Sequence, residues 1–252
     1  MSSIDSLIPV ERVQHLIITR FAVVFPEHPA PTATWIEERF ALLERFTAPS
    51  IRNQTVTDFT WWLQCDVATD QAVVDRLRAV APQARVVLVG PRPPDGAPMA
   101  VADARGWSAR DHVRPDTTIL IQTRLDSDDM LHPAYLADLE TDLPYFLAHG
   151  DVEWLRIAAN GYYYDSRSRK IHSRFYCDSP FQSYYCRVGP DLPARPMPSN
   201  HERTAQKVWG FAAQNRRAWI HVIHGGNLKN RMNRSASRID VDAVARDFGV
   251  EL

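Results

Sequence analysis

Residues Thr117 to Pro133 indicate the fold class, and they read Thr-Thr-Ile-Leu-Ile-Gln-Thr-Arg-Leu-Asp-Ser-Asp-Asp-Met-Leu-His-Pro. Its β-branched and apolar beginning, Thr117 to Gln122, predicts a strand. Asp126, Asp128 and Asp129 follow, and the proline at 133 is typical of the first turn of a helix. In parallel α/β sheets ligands bind at the carboxyl ends of the strands, so these carboxylates lie where a ligand is expected.

Three earlier apolar runs resemble this strand in composition. They are His15 to Ile18, Phe59 to Cys65 and Arg85 to Val89, and apolar residues recur at helical spacing between the first two. Strands that alternate with helices over the first 150 residues predict parallel βαβ units. We therefore expect an α/β fold, a three-layer α/β/α sandwich with a mostly parallel central sheet. Beyond Gly150 the pattern becomes β-rich and irregular.

Length and composition indicate one folded domain. The 252 residues are 45% hydrophobic and 23% charged, with a formal net charge of -1, which gives no general attraction to nucleic acid or to an anionic membrane. Cys65, Cys177 and Cys186 are widely spaced, which argues against a disulfide framework or a zinc cluster and fits a reducing compartment. No apolar stretch approaches the ~18 residues of a membrane span. We expect a cytoplasmic protein, for which peripheral membrane contact stays open.

The three aspartates predict a divalent cation. Carboxylates this close repel one another unless a cation or hydrogen-bond donors intervene. Mg²⁺ and Mn²⁺ bind one or two carboxylates together with water and substrate phosphates, which a short acidic turn can supply. The alternative is that the aspartates cap the following helix, and of the three Asp129 fits a purely structural role best. An EF-hand is excluded, because Leu131 stands where that loop needs glycine.

Four segments together resemble a known family. They are Thr123 to Pro133, Ile17 to Phe21, Pro49-Ser50-Ile51 with Gln54, and Trp219 to Asn227 (Trp-Ile-His-Val-Ile-His-Gly-Gly-Asn). The first looks like the Asp-x-Asp (DXD) region of GT-A glycosyltransferases, and the set is similar in particular to a family of rhamnosyltransferases. The resemblance spans most of the chain. It implies a single GT-A-like domain over residues 1–252, with a nucleotide-sugar-binding half (1–150) and an acceptor-side half (151–252).

The same resemblance implies roles for individual residues. Asp126 is expected to contact the ribose or the metal, and Asp128 to be the main metal ligand. GT-A enzymes often place a late histidine on the metal, and His224, before Gly225-Gly226, is the candidate here. We also expect Arg124, directly before the motif, to contact the donor. The cofactor is then Mn²⁺ or Mg²⁺.

The carboxyl-terminal part is locally basic. Between Arg195 and Arg238 nine Lys or Arg residues stand against one acid, Glu202. Most of these cations are typical of a solvated surface. Lys229 and Arg231 differ because they follow the double glycine, where backbone can approach a ligand closely. Either could contact the diphosphate, whose charge must be stabilised as the sugar departs.

A transferase of the inverting kind also needs a general base for the acceptor hydroxyl. Glu202, in a Pro-rich and cationic setting, is the candidate that we select, and the alternatives are Asp165, Asp178 and Asp191. Glu202 has a simpler interpretation too, since Ser199 or Asn200 followed by Glu202 is typical of a helix capping box.

Polar residues end the first two strands. Thr19 and Arg20 follow the first apolar run and Asp66 follows the second, at the sheet edge where the nucleotide is expected. Ordinary loop polarity would also explain them. No Gly-x-Gly-x-x-Gly follows the first strand and no Walker sequence occurs, which disfavours dinucleotide oxidoreductases and P-loop enzymes.

These observations predict a metal-dependent glycosyltransferase. Its donor would be a nucleoside-diphosphate sugar, with rhamnose suggested by the family, and its acceptor a saccharide or another hydroxyl compound. Two other classes stay open: a metal-dependent nucleotidyltransferase or phosphohydrolase using the same acidic cluster, and a non-catalytic nucleotide-sugar-binding relative.

Overall fold

The computed structural model describes residues 12–23, 31–90, 113–150, 152–192, 194–195, 197, 208–225 and 239–252. The first half alternates strands with helices. Its elements are β1 (Val13–Ala22), α1 (Ala33–Leu42), a π-helix (Leu43–Thr47), α2 (Ala48–Arg52), β2 (Phe59–Asp66), α3 (Gln71–Val80), β3 (Ala84–Val89) and β4 (Ile119–Arg124).

The second half is richer in strands, as the sequence predicts. Its elements are β5 (Met130–Leu131), α4 (Tyr135–Thr141), α5 (Leu143–His149), β6 (Glu153–Ala158), β7 (Asn160–Asp165), β8 (Lys170–Phe175), β9 (Gln182–Arg187), β10 (Gly210–Ala213), β11 (Trp219–Ile223) and α6 (Val241–Phe248).

Seven strands form a large, mostly parallel sheet in the order β10-β6-β9-β4-β1-β2-β3. β1 lies between β2 and β4 and is parallel to both, so the carboxyl ends of these strands meet at one edge. Only β9 runs antiparallel to its neighbours β4 and β6. The mixed α/β class and the mostly parallel sheet predicted from the sequence are confirmed.

One face of the large sheet is covered by helices. Phe40 of α1, Leu77 of α3, Leu139 of α4 and Phe146 of α5 are all buried in the same core as Trp61 of β2. On the opposite face, within the described residues, the packing comes from irregular segments. They include Val113, Val188, Ala194, Met197 and Val208.

A second sheet has four strands in the order β5-β11-β7-β8. It joins the segment that follows the acidic turn to β11, a strand near the end of the chain. β5 follows the turn directly and pairs antiparallel with β11, with Met130 opposite Ile220 and Leu131 opposite Trp219. Gly161 of β7 permits this arrangement, because a Cβ there would lie 2.1 Å from an atom of the Trp219 ring. One face of this sheet packs against α6 through Val222 and Phe248.

Two expectations about chain chemistry can be compared with the structure. All three cysteines are free, with Cys65 and Cys186 buried and Cys177 exposed, so the absence of disulfides is confirmed. In the described part of the chain, no helix has both the length and the apolar character needed to cross a bilayer.

A buried ion pair joins β6 to the segment between α4 and α5. The Arg156 side chain has no exposed surface, and its Nε donates to Asp142 Oδ2 at 2.5 Å. Removing one partner of such a pair leaves the other charge buried and uncompensated.

We predict that Arg156→Met lowers the free energy of unfolding by ~3–5 kcal/mol, because Asp142 then lacks its partner. Urea unfolding measures the change. The control is Arg76→Gln, which breaks an exposed pair with Glu37 and should alter stability by less than ~1 kcal/mol. Equal changes in the free energy of unfolding for the two substitutions would contradict the assignment of Arg156 and Asp142 as a buried ion pair.

Candidate active site

The acidic turn connects β4 to β5 at the carboxyl edge of the large sheet. Leu125 is buried and its N–H donates to Ile18 O, which continues the pairing with β1. The Asp129 N–H donates to Asp126 O and closes the turn. The Asp128 and Asp129 side chains are 7% and 2% exposed, whereas that of Asp126 is 45% exposed. The turn therefore presents one carboxylate to solvent and buries two.

Asp128 is contacted by a histidine ring and by a guanidinium group. His224 Nε2, just beyond β11, and a guanidinium nitrogen of Arg39, on α1, each lie 2.8 Å from Asp128 Oδ2. Burial alone would raise the pKa of the Asp128 carboxyl. The hydrogen bond with His224 and the charge of Arg39 outweigh burial and hold that pKa below its usual value. Asp128 is thus an ionised carboxylate in a nearly dry setting.

Asp129 joins the turn to β11. Its Oδ2 lies 2.9 Å from His221 Nδ1, and its Oδ1 accepts the backbone N–H of Val222 at 3.0 Å. Burial raises the pKa of Asp129 to about 6. Burial would lower the pKa of His221, but the neighbouring carboxylates, Asp129 first, raise it to about 9. The pair is therefore ionic at neutral pH, since both groups are charged between these values.

Helix capping by Asp129 is wrong. α4 begins after Ala134, and the Leu136 N–H in its first turn donates to Gln54 Oε1, not to Asp129. Both Asp129 oxygens are engaged by β11 instead, because β5 places the turn beside that strand.

Arg20 lies two residues before the end of β1, and Arg124 is the last residue of the neighbouring strand β4. Arg20 contacts Asp126 Oδ1 at 3.4 Å. Burial and the charge of Arg20 lower the pKa of Arg124 to about 10. Two close guanidinium groups with one partly exposed carboxylate form a site that a phosphate group would neutralise further.

Each carboxylate of the turn thus has a protein cation. Arg20 neutralises Asp126, Arg39 and His224 meet Asp128, and His221 pairs with Asp129. From the sequence alone, a metal is the expected means of offsetting the repulsion between close carboxylates. The structure shows that side chains already offset it, so repulsion by itself does not require the ion.

Two of the three predicted metal ligands come together. Among the residues with described positions, no three His, Cys, Asp or Glu side chains are grouped so as to hold a metal ion. Asp128 Oδ2 and His224 Nε2 are nevertheless 2.8 Å apart, close to the ~3 Å between neighbouring ligands that each lie ~2.1 Å from one octahedral ion. This donor pair fits Mg²⁺ or Mn²⁺, which take their remaining ligands from water and phosphate. Asp126 is directed to Arg20 instead.

Thr19 is a core residue and not a ligand contact, which corrects the sequence prediction. Its side chain is completely buried, and its hydroxyl accepts the Trp61 indole N–H at 3.0 Å. Successive side chains of a strand point to opposite faces, so Thr19 points away from the side of Arg20 and towards the helix-covered core. Asp66 lies at the end of β2, 5% exposed, with Oδ1 accepting the Ala68 N–H.

The other predicted site residues divide between two cases. Glu202, Lys229 and Arg231 lie outside the described residues. Asp165, an alternative base, instead organises the β7–β8 turn, where it accepts hydrogen bonds from the Arg167 and Ser168 backbones and from the Ser168 hydroxyl. The general base thus stays a prediction.

Gly225 gives space to a side chain. A Cβ at this position would lie 1.8 Å from an Arg167 guanidinium nitrogen, so the guanidinium packs directly against the glycine that follows His224. The sequence predicted a close approach here by a ligand, and the described structure shows a close approach by Arg167.

Arg39 and His221 are the site residues that the sequence did not select. Local sequence shows Arg39 only as a charged residue in an otherwise apolar helical pattern, and it distinguishes His221 only by its place near the double glycine. Their contacts with Asp128 and Asp129 join segments that are far apart in the sequence.

The fold and site define an α/β protein with a large, mostly parallel sheet and an acidic turn after a central strand. Residues 30–236 match the family described as "Putative rhamnosyl transferase". The chain belongs to this family. No curated protein matches the chain.

Solved structures resemble the chain only distantly. TarS 1-349 of S. aureus is 13% identical with a TM-score of 0.43, covering 83% of this chain and 60% of that one. The chain therefore spans less than two thirds of that relative's length. The 4-diphosphocytidyl-2C-methyl-D-erythritolsynthase of Anaerococcus prevotii is 9% identical with a TM-score of 0.36, covering 81% and 88% of the two chains. HddC of Yersinia pseudotuberculosis is 10% identical with a TM-score of 0.35, covering 83% and 89%.

We predict that Thr19→Val lowers the free energy of unfolding by ~1–3 kcal/mol, because the buried Trp61 N–H loses its acceptor. The affinity of the folded variant for a nucleoside diphosphate should not change, and calorimetric titration measures it. Arg20→Gln is the matched comparison at the next residue, and it should weaken that affinity. A larger loss of affinity in Thr19→Val than in Arg20→Gln would contradict the core assignment.

Proposed function

We propose that the chain is a glycosyltransferase that moves a sugar from a nucleoside-diphosphate sugar to an acceptor hydroxyl. The observation that carries this proposal is the Asp128–His224 pair, 2.8 Å apart at the carboxyl edge of the sheet. Membership of a rhamnosyltransferase family supports the reaction class, and the family description points to rhamnose as the sugar.

Asp128 and His224 would hold Mn²⁺ or Mg²⁺, with Asp126 of the DXD motif near the donor ribose. The ion would supply positive charge to the diphosphate as it leaves. Two protein ligands leave coordination positions for phosphate oxygens and water, which is the usual arrangement for these ions.

Arg20 and Arg124 would bind and orient the diphosphate. Both lie near the carboxyl ends of neighbouring strands, and the charge of Arg20 already disfavours the charged form of Arg124. A phosphate group would relieve this repulsion. Losing one donor that stabilises developing negative charge typically costs ~3–4 kcal/mol of transition-state energy.

The acceptor would lie against the small sheet. Tyr163 of β7 is half-buried, with its ring 5.2 Å from the His221 ring and with the Arg174 guanidinium 5.6 Å from its centroid. An aromatic ring beside a cation can stack on a sugar face while the charged group hydrogen-bonds its substituents. Glu202 stays our candidate for the base.

We predict that Mn²⁺ together with a nucleoside diphosphate or a diphospho-sugar stabilises the chain. At ~100 times the dissociation constant the gain is about 2.7 kcal/mol. Thermal unfolding across a panel of such ligands, with and without Mn²⁺, measures it. Asp128→Asn should remove the Mn²⁺-dependent part, whereas the exposed substitution Asp75→Asn should leave it unchanged. A panel without any Mn²⁺-dependent shift would reject the proposal.

The product separates the proposed reaction from its alternatives. A glycosyltransferase releases nucleoside diphosphate, whereas a nucleotidyltransferase or phosphohydrolase releases monophosphate or pyrophosphate. Ligand-dependent stabilisation without any product would favour a non-catalytic binding protein.

We predict that Arg39→Gln raises the affinity for Mn²⁺ by about tenfold, because the substitution removes a charge-assisted hydrogen bond of ~1.5–3 kcal/mol that competes for Asp128. Titration of Mn²⁺ by electron paramagnetic resonance measures the affinity. Arg76→Gln, on the neighbouring helix, is the control and should have no effect. An unchanged or weaker affinity in Arg39→Gln would show that the ion does not use this carboxylate.

A further inference from the structure

Asp129 extends the β5–β11 pairing by its side chain, directly before β5 begins. Met130 and Leu131 pair with Ile220 and Trp219. The next two residues of β11, His221 and Val222, are held by the Asp129 carboxylate, one through its ring and the other through its backbone N–H. One side chain therefore binds two consecutive residues of the strand.

His224 follows this attachment by two residues. It reaches back to Asp128, the residue directly before Asp129, and its Nε2 lies 2.8 Å from Asp128 Oδ2. The two connections join the same pair of segments in antiparallel order, as the β5–β11 ladder does. The separation of Asp128 and His224 thus depends on where Asp129 fixes β11.

We infer that Asp129 is a positioning residue, which sets the spacing of Asp128 and His224 by anchoring β11 to the acidic turn. This inference rests on the proposed function, because it assumes that the two residues bind one divalent ion. Asp129 itself would not be a ligand, because its two oxygens contact His221 and the Val222 N–H and its side chain is only 2% exposed.

A purely structural role is the alternative. A buried ion pair is weak evidence for stability, since the desolvation of both charges offsets their attraction. Residues that orient metal ligands behave differently, because their substitution typically lowers metal affinity by about 10–100-fold. Metal affinity compared at matched stability therefore distinguishes the two roles.

The test is Asp129→Asn, which keeps an oxygen for the Val222 N–H and removes the charge facing His221. We expect Mn²⁺ affinity, measured by electron paramagnetic resonance titration, to fall about 10–100-fold. The control is Asp142→Asn. It also removes a carboxylate from an ion pair, in this case the pair with Arg156 of β6. It should lower thermal stability and leave Mn²⁺ affinity unchanged.

A second substitution keeps the test decisive if Asp129→Asn does not fold. His221→Gln breaks the same connection from the other side and should also weaken Mn²⁺ binding. The double variant should bind no more weakly than the weaker single variant, because both changes remove one connection. Additive losses would contradict the inference.

The controls at the ligands separate two failures. If Asp128→Asn and His224→Ala weaken Mn²⁺ binding and Asp129→Asn does not, the positioning role is wrong and the metal site stands. If none of the three substitutions changes Mn²⁺ binding, the metal site itself is wrong.

Discussion

The pairing of the acidic turn with β11 is the interaction on which the site depends. Asp129 is anchored to His221 and Val222, and Asp128 meets His224, so a turn in the middle of the chain is fixed to a strand near its end. The backbone pairing of β5 with β11 covers Met130–Ile220 and Leu131–Trp219 and does not reach His221 or His224. The buried carboxylates are therefore structural connections and candidate ligands in one segment.

The same charges offset the repulsion among the three carboxylates of the turn. Arg20, Arg39 and His221 come from three different elements, and each neutralises one aspartate. A cation that binds Asp128 must compete with Arg39, and the guanidinium released in that exchange would lie beside the diphosphate. Arg39 thus lowers the pKa of Asp128 and, because it occupies the same carboxylate oxygen, also opposes the binding of an ion there.

Local sequence patterns predicted the strands of the first half and the position of the acidic turn, because each strand is an apolar run that ends in polar residues. They also paired Asp128 with His224, although the metal role stays a prediction. They could not show that Thr19 faces the core, since its burial depends on the Trp61 indole across the neighbouring strand. Arg39 was missed because its partner is set by tertiary packing and no local pattern records it.

The most direct test of the central claim is pulsed electron paramagnetic resonance of Mn²⁺ bound to the chain with a nucleoside diphosphate. We expect the Mn²⁺ signal to show modulation from one directly coordinated histidine nitrogen. This modulation should disappear in His224→Ala and persist in His221→Gln. Absence of nitrogen modulation in the unmodified chain, or its persistence in His224→Ala, would contradict the claim that Asp128 and His224 share the ion.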